Sequence, residues 1–193
     1  TFQATLNGTT AGADDLMITA RDTDVGNTGD PPTGDVSFLM EVGGTTRMGI
    51  ITVADADDVV ALQRIRAAGL TQHSGLGNTT LREVDIETGT TGPSSAVAIT
   101  TDYTIHLRGN ITAIDNESAP LVDNTAATGE IIDITSVDGN VIIEDGVIIS
   151  TDEDPAPGHS SESTGDSIMI TADITDDAAD PSTTARRDYL VTE

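Results

Sequence analysis

The sequence predicts an all-β fold, a β-solenoid whose short strands turn corners and stack on the circuit below. Three observations point there. Apolar residues come in runs of about three to seven residues, rich in Ile and Val and bounded by Gly, Asp, Asn and Pro. β-Branched side chains fit a pleated surface because their restricted χ1 costs little there. Aromatic residues make up only 2% of the chain (Phe2, Phe38, Tyr103 and Tyr189, with no Trp). A β-sandwich of this size fills its centre with large rings, whereas thin repeated layers need only aliphatic ones. Finally, Ile/Val pairs recur along the chain in a way that suits ladders running from circuit to circuit. The alternative is an antiparallel β-sandwich, because Glu144-Asp145-Gly146-Val147 taken alone reads as a tight hairpin turn.

In chain order, Thr1–Gly12 is polar with one apolar alternation, Phe2, Ala4 and Leu6, and reads as an edge strand or terminal rung. Asp15–Ala20 is the first clear strand. Arg21–Gly34 is a loop, since Pro31-Pro32 cannot join a sheet interior. Strands follow at Asp35–Val42 and, after Gly43-Gly44, at Gly49–Ala54. Asp55–Gly69 supports two readings. Asp caps, good helix formers and a closing Gly69 predict a short helix, while Val59–Leu62 and Arg64–Arg66 would continue the strand pattern. Further strands are predicted at Leu70–Gln72, Thr80–Glu87, Ala96–Thr101, Tyr103–Leu107 and Asn110–Asp115, with a polar loop at Asn116–Thr128.

Glu130–Thr151 shows the building pattern most plainly. The runs Ile131–Ile134, Val141–Ile143 and Val147–Ile149 are separated by the corners Asp138-Gly139 and Asp145-Gly146. In each corner Gly can take positive φ and the Asp carboxylate can bond local backbone. Asp152–Gly165 reads as a loop, Asp166–Ala172 as the last strong strand, and Asp176–Glu193 as a tail with Arg186-Arg187 and an apolar Tyr189–Val191. The expected organisation is thus a single β-solenoid segment over 1–193, with loop insertions near 21–34 and 152–165. At roughly 20–30 residues per circuit this predicts about seven to nine circuits. At about 4.8 Å per strand the rod would be roughly 35–45 Å long.

Composition narrows function. Acidic residues number 33 against 8 basic, a net charge of −25, and every basic residue is Arg. Nucleic acids and anionic membranes need cationic patches, so neither is an expected partner. No apolar run approaches the roughly 20 residues of a membrane-spanning helix, so no membrane insertion is expected. The absence of Cys removes disulfides, thiolate nucleophiles and Cys-ligated zinc. The chain starts at Thr1 rather than Met, which reads as a processed product or an excised segment.

Gly34–Val60 resembles the β-strand repeats of giant filamentous-haemagglutinin-like bacterial surface proteins and adhesins. The matching residues are Gly34, Asp35, Val36 and Phe38, then Val42–Thr46, then Ile51, Thr52 and Val53. Gly69–Ile114 is similar to the rungs that follow in such proteins, through Leu70-Thr71-Gln72, Gly77–Leu81 and Ile105–Ile111. The resemblance covers about half the chain. It implies a right-handed parallel β-helix in a long secreted or surface-attached protein, and strand rather than helix at Val59–Arg66. The acidic insertions at Arg21–Asp30 and Asp152–Ser163 fall outside it.

The candidates for chemistry are few. Asp22, Asp24, Asn27 and Asp30 share one Gly-rich loop and offer oxygens to Ca²⁺. Counting from Asp22, however, positions six and twelve of an EF-hand loop fall on Asn27 and Thr33 rather than Gly and Glu. Asp55, Asp57 and Asp58 read as a corner, and Asp173, Asp176, Asp177 and Asp180 as a solvated tail. No RTX-type Ca²⁺ repeat occurs. His73, His106 and His159 lack metal-ligand spacing. Ser160, Ser161 and Ser163 form no nucleophile elbow. Asn-x-Ser/Thr sequons begin at Asn7, Asn78, Asn110 and Asn116. A polysaccharide-cleaving β-helix would line a groove with acids, bases and aromatic platforms, and here aromatics are nearly absent and Arg residues are scattered. No catalytic, cofactor-binding or metal residue is therefore assigned. The expectation is a non-enzymatic structural or adhesive segment at the cell surface, a rigid spacer or filament unit, with head-to-tail self-association and a glycan or surface receptor as partners. A Ca²⁺-stabilised binding module is the alternative, and a carbohydrate-active β-helix enzyme the more remote one.

Overall fold

In a computed structural model of the chain, the residues described are 1–20, 34–73, 75–88, 96–115, 131–153 and 167–172. They are all β, with no helix among them, and form one sheet of twelve strands in which every strand pair is parallel. The strands are β1 (Leu16–Thr19), β2 (Val36–Phe38), β3 (Met48–Asp55), β4 (Val59–Gln72), β5 (Thr79–Thr88) and β6 (Val97–Thr101). They continue with β7 (Ile105–Leu107), β8 (Ile111–Asp115), β9 (Ile131–Ser136), β10 (Val141–Ile143), β11 (Ile149–Glu153) and β12 (Ser167–Ala172).

The pairings sort into three columns that the chain visits in turn. In the first, Phe2 bridges Phe38 of β2, and β2, the start of β4, the start of β5, β7 and β10 follow side by side. In the second, Leu6 bridges Val42, Val42 bridges Ile65 in the middle of β4, and β5, β8 and β11 follow. In the third, β1, β3, the end of β4, β6, β9 and β12 lie in order. Six circuits are traced among the described residues, each crossing the columns in the same sequence.

Register carries the packing. Ile51, Leu70, Val97, Ile132 and Ile168 align in the third column, beside Val53, Gln72, Ile99, Ile134 and Ile170. Because side chains alternate across a strand, these positions all point to one face. From Ile51 to Ile134 they are buried, and fully burying each such aliphatic chain is favourable by about 1.5–3 kcal/mol. In some stacks a large side chain sits beside a small one, which helps fill the interior at close-packed density. Phe38 lies between the stacked ring of Phe2, 5.0 Å away, and the small Ala61. Met48, Ala67, Ile86 and Ala113 repeat the large–small order at the corner between the second and third columns.

Of the two readings of Asp55–Gly69, the strand that the resemblance implies at Val59–Arg66 forms and the helix does not. A helix would pull Val59, Ala61, Ile65, Ala67 and Leu70 off their stacks. Extended, all five are buried, and the strand pairs with β2 and β3 on one side and β5 and β6 on the other. Tertiary pairing here outweighs the local helix signal. β4 runs unbroken through Gly69, taking its corner as a register shift between Ala61 and Arg64.

The hairpin reading of Glu144–Val147 also fails. Val141–Ile143 pairs parallel with β7, and the next strand pairs parallel with β8, so the two do not face each other. The corner is a four-residue turn in which the Val147 N–H donates to the Glu144 carbonyl at 3.2 Å, with Gly146 at φ 81°. This turn uses Val147 and Ile148, so β11 starts at Ile149 instead of spanning Val147–Ile149 as predicted. At Gly109 the constraint is close approach, since a Cβ there would overlap the Arg82 carbonyl of the preceding circuit.

Among the described residues six circuits are traced, against the seven to nine predicted for the whole chain. From Val59 to Thr79 the chain needs 20 residues per circuit, but Ile105 to Val141 takes 36, as their numbering and pairing show. The extra residues lie outside the described chain: 89–95, 116–130 and 154–166 fall between the second and third columns, and 21–33 between the third and the first. The predicted insertions near 21–34 and 152–165 fall almost wholly outside the described residues as well.

Candidate functional site

The outer face of the second column is where this chain concentrates chemistry. The residue before each inward anchor (Val42, Ile65, Val84) is Glu41, Arg64 and Glu83, so charge alternates from circuit to circuit. Opposite charges directly across parallel strands attract, whereas a column of like charges would repel at a spacing of about 4.8 Å. Glu41 Oε1 accepts from Arg64 Nε at 2.8 Å and Nη2 at 2.6 Å. That hydrogen bond, reinforced by the fields of Glu41, Glu83 and Asp85, raises the Arg64 guanidinium above its ordinary value. Asp85 is shared: Oδ2 meets Arg66 Nε at 3.1 Å and Oδ1 meets Arg47 Nη2 at 3.3 Å. Arg47 Nη2 also reaches Glu87 at 2.7 Å, and its Nη1 donates to the Asp85 carbonyl at 2.7 Å. Only 10% of the Arg47 side chain is exposed.

The Arg residues that look scattered in sequence are therefore gathered. Arg47, Arg64 and Arg66 lie on one face, each engaged by carboxylates. Neutralised in this way they tie neighbouring circuits together and do not form a cationic patch. Further along, Glu144 Oε1 accepts from Arg108 Nε and pairs with His106 Nε2, both at 3.0 Å, on a more exposed surface.

The corners hold the remaining polar side chains. Asp14 Oδ2 accepts from Thr9 N–H (2.6 Å), Thr10 N–H (2.8 Å) and Thr9 Oγ1 (2.9 Å). The Thr10 N–H bond, then the Thr9 hydroxyl and N–H, hold its carboxyl below the usual 3.8. Asp55 ends β3, while Asp57 and Asp58 form the predicted corner. Asp57 Oδ2 accepts from Gly34 N–H at 3.0 Å, its Oδ1 is buried with no hydrogen-bond partner among the described residues, and Asp58 Oδ1 accepts from Asn78 N–H at 2.6 Å. Inside, Gln72 and Thr79 satisfy each other, with Gln72 Nε2 donating to Thr79 Oγ1 at 2.8 Å. Thr101 Oγ1 and Ser136 Oγ donate to corner carbonyls at Gly77 and Tyr103.

Two sequon asparagines prove to be corner staples. Asn7 Oδ1 accepts from Thr45 N–H at 2.9 Å, and Asn110 Oδ1 from Ile148 N–H at 3.0 Å, each joining a circuit to the next. Asn116, His159, Ser160, Ser161, Ser163 and the loops with Asp22, Asp24, Asn27, Asp30 and Asp173–Asp180 lie outside the described residues. Among the described residues no three His, Asp or Glu side chains are grouped to hold a metal, and no helix is long and apolar enough to cross a membrane.

Comparison with known proteins returned no matching family model, no matching curated protein and no matching solved structure.

Proposed function

We propose that the chain is a right-handed parallel β-helix segment of an extracellular or cell-surface protein, of the filamentous-haemagglutinin-like kind, and that it works as a rigid spacer or filament-forming unit. What carries this reading is the unbroken in-register stacking of three columns, with aliphatic side chains inside every layer and circuit-to-circuit ion pairs outside. Right-handedness follows from the strong preference of crossovers between parallel strands. Its mechanism is mechanical: hydrogen bonds between circuits run along the stacking axis and resist bending. A described stack of six circuits is only about 24 Å from first strand to last. A single segment thus contributes little length by itself, and a spacer built this way gains reach by continuing the same stack.

The test uses the absence of native Cys. Met17 and Met169 are exposed and occupy one outward register line, Met17–Thr52–Thr71–Ala98–Asp133–Met169. Spin labels on Met17→Cys and Met169→Cys should give one narrow dipolar distance near five strand spacings, about 24 Å plus the label arms. The measurement is made on dilute protein at low salt, where chains stay single. A broad distribution there rules out the rigid spacer.

A further inference from the structure

The two ends of the stack are built for each other. At one end β10, β11 and β12 have, among the described residues, no strand on their far side. One layer further in, Leu107, Ile111, Ile132 and Ile134 are all 0% exposed. The end layer repeats the same residue types at the same register, yet Ile143 is 39% exposed and Ile149, Ile168 and Ile170 are only half-buried. At the other end Phe2, Leu6, Leu16 and Ile18 are partly buried and, among the described residues, have a neighbouring layer on one side only.

We infer that the β10–β12 end receives the first circuit of a second copy of this chain, in a head-to-tail contact. Continuing the observed register by one more layer sets Ile143 against Phe2, Ile149 against Leu6, Ile168 against Leu16 and Ile170 against Ile18. Every inward contact is then aliphatic or aromatic on aliphatic. β12 gains β1 as a parallel neighbour for its unpaired N–H and C=O groups. A heterologous contact of this kind does not close on itself, so it propagates as a filament. The inference rests on the stacked-segment reading above and names the partner surface for it. Opposing it is the net charge of −25, with Asp14 and Asp15 at one end and Glu144 and Asp145 at the other, so association strengthens as salt screens the repulsion.

Sedimentation equilibrium of the full chain tests this at about 0.5 M NaCl, where screening shortens to a few Å. Wild type should exceed twice the single-chain mass as concentration rises. Leu6→Glu blocks the head and Ile143→Glu the tail, with Ile170→Glu as a second tail variant in case the first unfolds. Each folded variant alone should remain a single chain, and an equimolar mixture of head- and tail-blocked chains should give two-chain particles and no larger ones. If Leu6→Glu alone still dimerises, the contact is tail to tail and the inference is wrong. If wild type stays monomeric at every concentration, the end is covered within the chain or not at all, and the inference is again wrong. The Met17–Met169 distance of the monomer reports the spacer reading separately, so the two can fail independently.

Discussion

Leu81 and Ile143 point inward from the same stack, Phe38–Ala61–Leu81–Leu107–Ile143, two circuits apart. Leu81 is 1% exposed and Ile143 is 39%. Their side chains are of similar size and their backbones have the same role, so the difference lies in whether a layer covers both sides. In this molecule burial belongs to the neighbouring circuit more than to the residue. Ion pairing shows the same contrast, with Arg47 sheltered in the middle and Arg108 half exposed nearer the end.

The contrast can be broken most directly by truncating both residues of that stack. Leu81→Ala should cost about 2–5 kcal/mol of unfolding free energy, because a layer on each side holds the cavity open. Ile143→Ala should cost less than about 1 kcal/mol, since much of its surface is already hydrated. Urea midpoints under dilute, low-salt conditions measure both, and equal losses would mean that the end layer is covered. A smaller contrast is expected among the ion pairs. Asp85→Ala removes the carboxylate that Arg47 and Arg66 share, leaving Glu87 as the ion-pair partner of Arg47, and should cost about 1–2 kcal/mol, whereas Arg108→Ala should cost about 0–1 kcal/mol. Raising salt should narrow the gap little if Arg47 is as sheltered as its geometry indicates.

The smallest effect belongs to the first circuit. Asp14 has a folded pKa depressed below 3.8 by the Thr10 and Thr9 hydrogen bonds. A depressed carboxylate contributes stability that is present above its unfolded value and is lost as pH falls through the folded one. Asp14→Asn should therefore be less stable than wild type at neutral pH and converge with it as pH falls through the depressed folded value. Urea midpoints followed from pH 6 to pH 2 read this directly; parallel curves would show that the Thr9–Thr10 corner is held by something else.

Much of the strand pattern was legible, and for a physical reason. A strand buried on one face must alternate, so Ile131–Ile134, Thr80–Glu87 and Ala96–Thr101 mark themselves to within about two residues. The Asp145-Gly146 corner was ambiguous by itself, because a turn between strands in one sheet uses the same residues as a turn between columns. Scarcity of aromatics favoured stacking over a sandwich, and the parallel pairing of β10 and β11 with β7 and β8 agrees with it. The helix signal of Asp55–Gly69 was local, and nothing local could reveal two parallel neighbours. The ion-paired face stayed hidden because its partners lie one or two circuits apart, 23 residues for Arg64 and Glu41, 38 for Arg47 and Asp85 and 19 for Arg66 and Asp85. Without a fixed repeat length, no spacing rule finds them. The same irregularity disguised Asn7 and Asn110, whose side-chain carbonyls close corners between circuits 38 residues apart.

Irregular circuit length has one more consequence. Residues 89–95, 116–130 and 154–166 all enter between the second and third columns, yet the third column keeps Val97, Ile132 and Ile168 in one line. Strand alignment is thus indifferent to how much sequence intervenes at that corner, and closing a longer excursion adds only slowly to the entropic cost. Circuit length can thus vary at that corner without moving any rung of the third column, so each strand beyond it keeps its neighbours whatever the number of residues between.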